Sequence, residues 1–265
     1  MHGRKKLSGI SLLHYSKLVF RSLLFLAATG LYIHHRLIGS EYPFGPLGEQ
    51  PVILSVIWLV YIVEMLLRFF PSSMESMGCQ KQFARNYVPT GVDTADVVVQ
   101  SGWRTAAVAV AWFVLNGAIG ALYLAGIIDE GIMLLISLAY AVCDMICILF
   151  FCPFQTWFMK NRCCTTCRIY NWDFAMMFTP LVFVPSLYTW SLLGVSLLLL
   201  VMWEVMLRRY PERFSERTNA CLNCGQCREK LCHHKKQLRG FLRKNVRRMQ
   251  LAGNELFRER KPKKS

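Results

Sequence analysis

Residues 174–206 read FAMMFTPLVFVPSLYTWSLLGVSLLLLVMWEVM, and the number of membrane crossings in the chain turns on this stretch. It is too long for one untilted crossing, because about 20 residues suffice for ~30 Å of hydrocarbon. Pro180 and Pro185 lie inside it, and residues 186–191 (SLYTWS) read as a tight reversal between two short helices. The alternative is one long broken helix.

Outward from this stretch, four further apolar runs extend from about Lys17 to His34, Val52 to Phe70, Thr105 to Ile128 and Gly131 to Phe151. With 54% hydrophobic residues the chain exceeds the roughly 45–50% of a soluble domain. The expected fold is all-α, a polytopic integral membrane protein of about six transmembrane helices, or five if residues 174–206 form one. A basic arm (1–16) precedes the membrane domain (17–209), whose longer loops are 71–103 and 152–172, and a Cys-rich basic tail (210–265) follows. Arg21 interrupts the first run and no convincing cleavage site follows it, so the run reads as a retained anchor rather than a signal peptide.

Lysine and arginine resist translocation and so set orientation. They gather in the arm (Arg4, Lys5, Lys6), the second loop (Lys81, Arg85) and the fourth (Lys160, Arg162, Arg168), while the intervening loops hold only Arg36. Six crossings place every basic segment and both termini in the cytosol, and the expected location is the cytoplasmic membrane of a prokaryote. Five would put the basic tail outside. Of the net charge of +15, most is tail, where eighteen Lys/Arg face five Asp/Glu from Arg208 onward. This fits attraction to anionic lipid. Leu238, Phe241, Leu242, Met249 and Leu256 recur there at roughly helical spacing, as in a helix lying on a membrane surface. No nucleic-acid-binding module or aromatic stacking pattern accompanies the charge.

The chemistry is expected from the cysteines, eleven in all. Cys163, Cys164 and Cys167 cluster in the fourth loop, and Cys221, Cys224, Cys227 and Cys232 in the tail. Cys79 lies in the second loop, and Cys143, Cys147 and Cys152 belong to the fourth helix or its end. A reducing cytosol disfavours structural disulfides, so tight clusters there read as metal or redox sites. Zinc prefers two C-x2-C pairs, which Cys164/Cys167 with Cys221/Cys224 supply. An iron–sulfur cluster needs three close thiolates and a fourth from elsewhere.

Residues 221–227 (CLNCGQC) resemble the C-I-x-C-G-x-C half of the bacterial ferredoxin [4Fe–4S] motif, with Leu222 in place of Ile. The family continues x3-C-P; this chain continues x4-C-H, at Cys232-His233. The resemblance covers about a dozen residues. It implies a cluster on Cys221, Cys224 and Cys227, completed by Cys232 or by Cys163, Cys164 or Cys167. His233 and His234 read as solvated beside a basic helix.

Four charges fall inside apolar runs: Arg21, Glu64, Asp144 and Glu204. Each costs roughly 2.5–3.5 kcal/mol on the insertion scale unless paired or used. The structural expectation is an Arg21–Glu64 bridge between antiparallel neighbours, with Glu204 snorkelling to the interface. The functional one is a polar pocket in which Glu64 or Asp144 carries protons or a cation. Cys143 and Cys147 share a helix face beside Asp144. Haem is not expected, because no two histidines face each other in mid-membrane. Walker, dinucleotide and HExxH motifs are absent from the sequence.

Three functions fit. The first is a redox component passing electrons between a soluble donor, the tail cluster and a membrane carrier such as quinone. The second is a transporter or assembly protein with a structural zinc site, and the third a soft-metal permease.

Overall fold

The computed structural model describes residues 9–38, 51–71, 77–92, 97, 102–161, 163–223 and 245. The described chain is helical, apart from an isolated bridge between Pro89 and Asn219. Its α-helices are α1 (Gly9–Ile38), α2 (Pro51–Leu67), α3 (Met77–Gln82), α4 (Gly102–Leu124), α5 (Glu130–Leu149), α6 (Asp173–Phe178) and α7 (Leu187–Arg209). Among the described residues four helices, within α1, α4, α5 and α7, are long and apolar enough to cross a membrane, and the apolar part of α2 is shorter, Leu54–Leu67.

Local chemistry sets the ends. Asp129 caps α5, its Oδ1 accepting from Ile132 N–H at 2.9 Å, which satisfies one of the free amides of the first turn. α4 closes in a Schellman motif: Ile127 N–H reaches Leu122 O, Gly126 N–H reaches Tyr123 O, and Gly126 takes a φ of 72° that a Cβ would disfavour. Ser186 and Thr189 form a capping box at the start of α7, whose last turn carries Arg208 and Arg209 against the negative end of the helix dipole.

The reversal expected over residues 186–191 falls earlier. Pro185 cannot continue a helix, and Ser186 caps the next one, so the chain turns at Val184–Pro185 and Leu187 onward is already α7. The stretch expected to cross from Phe174 is not a single α-helix. A 3-10 stretch (Arg168–Trp172) leads into the single α-turns of α6, and a second 3-10 stretch (Thr179–Phe183) follows, with Pro180 near its start. Laid end to end, at ~2.0 Å per 3-10 residue and ~1.5 Å per α residue, the three segments amount to about 29 Å of rise. The first helix, expected from Lys17, begins at Gly9, so His14 lies within it.

Side-chain contacts fix the directions. α1 and α5 are antiparallel: Arg36 meets Asp129 at one end, and Arg21 meets Ala141 O and Asp144 at the other. α2 and α7 run parallel, with Trp58 Nε1 donating to Ser191 Oγ at 2.7 Å and Ser55 facing Tyr188. The 168–183 path runs antiparallel to α7, from Glu204 beside Trp172 to Val184 O, which accepts from Thr189. It packs on α4 at Gly120, where a Cβ would stand 2.1 Å from the Phe183 ring. The shared core is Tyr61, Met65, Phe174, Phe178, Leu199 and Trp203, with Tyr61 edge-on to Phe178.

Candidate functional site: a thiol-rich end of the bundle

One end of the bundle collects the charges. Arg21, 3% exposed, donates to Glu64 at 2.7 Å, to Asp144 at 3.0 Å and to Ala141 O at 3.1 Å. Lys17 also reaches Glu64, at 3.3 Å. The expected Arg21–Glu64 bridge is therefore present, with Asp144 as a second partner. Glu204 does not snorkel: Arg168 grips it through Nε and Nη2, and Trp172 Nε1 donates to it at 2.9 Å. The reason is that the 3-10 stretch carries both donors to its depth. A further buried pair, Arg68 with Asp173 at 2.7 Å, lies under the Phe174 ring. Sequence reading missed it, because Arg68 reads as a flanking charge and Asp173 falls between the loop 152–172 and the apolar run from Phe174. His14 was missed as well. It is buried, and neither ring nitrogen has a hydrogen-bond partner among the described residues.

At the same end the loop after α5 folds back. A π-helical turn (Phe154–Phe158) orients Gln155, whose Oε1 accepts from the Cys164 thiol at 3.0 Å. Cys164 and Cys167 then bracket a turn closed by Cys167 N–H to Cys164 O at 3.0 Å. In such a turn the end residues lie within ~7 Å of each other, so both thiols stand on one short arch. Burial pushes the Cys167 thiol up to about 12, with the nearby amides of Ile169 and Tyr170 opposing that shift. Cys163 turns instead to Thr165 Oγ1, at 3.0 Å.

Residues 77–92 form a bracket that holds both this loop and the start of the tail. Gln82 donates to Thr165 O at 3.0 Å and accepts from Asn171. Lys81 O accepts from Asn219 Nδ2 at 2.9 Å, and Asn86 O accepts from the Cys221 thiol at 3.1 Å. Ala220 N–H to Val88 O and Thr90 N–H to Thr218 O complete the seam. Asn219 is fully buried. Loop and tail also touch directly, through Thr166 and Glu216.

Beneath the arch lies a cavity of about 270 Å³ lined by Cys143, Cys147, Cys152, Cys164 and Cys167 together with Asp144, Asp173, Met176 and Met177. Thiols that the sequence places in two separate segments thus share one chamber, with Asp144 on its wall. Among the described residues no three His, Cys, Asp or Glu side chains converge closely enough to hold a metal ion. Cys221 is directed at Asn86 rather than at the loop thiols. Cys224, Cys227 and Cys232, the expected cluster ligands, and the amphipathic stretch from Leu238 lie outside the described residues. Comparison with protein-family models, with curated proteins and with solved structures gives no match.

Proposed function

We propose that the chain is an integral membrane redox component of six crossings. In this reading a cysteine-ligated iron–sulfur centre on its cytosolic face passes electrons between a soluble donor and a membrane carrier. The observation that carries it is the shared bracket. Residues 77–92 hold the Cys164–Cys167 arch through Gln82 and hold Cys221, the first thiol of the C-x2-C-x2-C motif, through Asn86. The start of a three-thiol motif and a remote thiol that could complete it are thus tied to the same segment. Cys167 is the natural candidate for that fourth place. Burial holds its thiol up at about 12, so it would serve as a thiolate only with a metal cation beside it to offset the desolvation.

The bracket also supports the crossing number. Thr166 touches Glu216, and Asn219 touches Lys81, so the loop before the 168–183 path and the segment after α7 share one face. One crossing between them would separate them, whereas two, the mixed path and α7, bring the chain back. The basic arm, both basic loops and the tail then face the cytosol together.

Anaerobic purification with iron, zinc and sulfide analysis tests this reading. We expect about four iron and four sulfide per chain and a brown protein. Cys224→Ser and Cys167→Ser should each lose the cluster, and the double variant should be no worse than either, since ligands of one site fail as a unit. Stoichiometric zinc without sulfide would replace the redox reading with a structural site. Full iron retention in Cys167→Ser would show that the tail completes its own centre.

A further inference from the structure

A second cavity, about 390 Å³, lies between α4, the 172–183 path and α7. Its lining is apolar except for Asn116, Thr179 and the indole edges of Trp112 and Trp172. Nearly all of that polarity is used internally. Trp112 Nε1 donates to Thr179 Oγ1, Thr179 donates to Ala175 O, and Trp172 Nε1 is committed to Glu204. Asn116 is the exception. It is 2% exposed, its Nδ2 donates to Trp112 O at 2.9 Å, and its Oδ1 has no partner among the described residues. The amide orientation is fixed, because a backbone carbonyl can only accept. An unmet carbonyl oxygen in an apolar wall is costly, and a ligand donor removes that cost.

Two further features say what shape of donor fits. Aromatic rings of Trp112, Trp172 and Phe183 border the groove, which suits a flat ring. Gly117 lines it too, and a Cβ built there meets nothing within 4 Å, so there is open space beside Gly117, one residue from Asn116. Trp112 and Met176 line both this groove and the thiol chamber, so the two share a wall.

We propose that this groove binds a lipid-soluble hydroquinone, with a ring hydroxyl donating to Asn116 Oδ1 and the apolar tail lying against Leu193, Leu197 and Leu200. A phospholipid acyl chain fills the apolar part but brings no donor. The identity of the lipid as a redox carrier rests on the redox reading above; the groove and its free acceptor do not.

The test uses the full chain in nanodiscs, titrated anaerobically with decylubiquinol and with its O-methylated analogue, which lacks the donors. Decylubiquinol should bind saturably at one per chain. Gly117→Leu, which fills open space, should weaken it at least tenfold while leaving melting temperature and metal content unchanged. Gly117→Val serves if the leucine variant does not fold. Asn116→Leu should weaken decylubiquinol about tenfold and leave the methylated analogue unaffected, since only the hydrogen bond is lost. Saturable binding by a chain that holds no metal would support the groove and sink the redox centre alone. A metal-loaded chain with no saturable binding, or binding indifferent to both substitutions, would overturn the inference. So would a dimer that Gly117→Leu converts to a monomer, because the groove would then be a contact between two copies.

Discussion

Arg21 sits between two carboxylates, and its loss strands them unequally. Glu64 keeps Lys17 at 3.3 Å, whereas Arg21 is the ion-pair partner of Asp144 among the described residues. Breaking a buried pair from one side costs about 3–5 kcal/mol, because a charge is left without compensation in a poorly solvated site. Arg21→Met should therefore lower the detergent melting temperature sharply. Adding Asp144→Asn should recover more of the loss than adding Glu64→Gln. Equal recovery would mean that Lys17 does not hold Glu64, and an unchanged melting temperature in Arg21→Met would remove the ion-pair account. The Arg21–Glu64 contact is legible in the sequence, since two opposite charges at one depth of consecutive apolar runs are each costly alone and far less so together. Arg68–Asp173 is not legible, because its depth follows from the 3-10 stretch before α6, and that stretch carries no periodic signal.

The 168–183 path is the element that sequence patterning describes least well. Pro180 within it and Pro185 just after it announce a break, but periodicity cannot separate a short α-helix from successive 3-10 turns. What holds the path in place is tertiary: Arg168 and Trp172 on Glu204 at one end, Trp112 on Thr179 along it, and Phe183 seated on Gly120 at the other. Gly120 is decisive, because α4 can come this close only without a Cβ there. In Gly120→Ala the new methyl would stand 2.1 Å from the Phe183 ring, so the ring must swing aside or the path must move off α4. Overpacking of this kind costs typically about 1–3 kcal/mol. Melting of Gly120→Ala should fall accordingly, and Phe183→Leu in the same chain should restore part of it. A neutral Gly120→Ala would mean that the Phe183 ring swings aside freely and does not hold the path on α4.

Across the whole molecule, charge and contact point the same way by independent routes. The basic segments at 4–6, 81–85, 160–168 and 208–265 are a statement about translocation, made by composition alone. The seam of Val88 with Ala220, Lys81 with Asn219 and Thr166 with Glu216 is a statement about proximity, and it requires two of those segments to share a face with the start of the third. An odd number of crossings between Cys167 and Pro211 would break the seam whatever the charges prefer. A reporter active only outside the cytosol, fused after Ser265, should therefore stay inactive, and a cytosolic fluorescent reporter at the same point should mature. Asn219→Ala separates the two causes. It removes the donors to Lys81 O and Arg213 O but no charge. If lysines and arginines set the topology and the seam only docks the tail, the variant should keep both reporter signals while Cys221 becomes more reactive to a maleimide, having lost its fixed place beside Asn86. If the outside reporter lights up in the unmodified sequence, the 168–183 path does not cross, and the bracket that carries the metal proposal cannot form in the membrane.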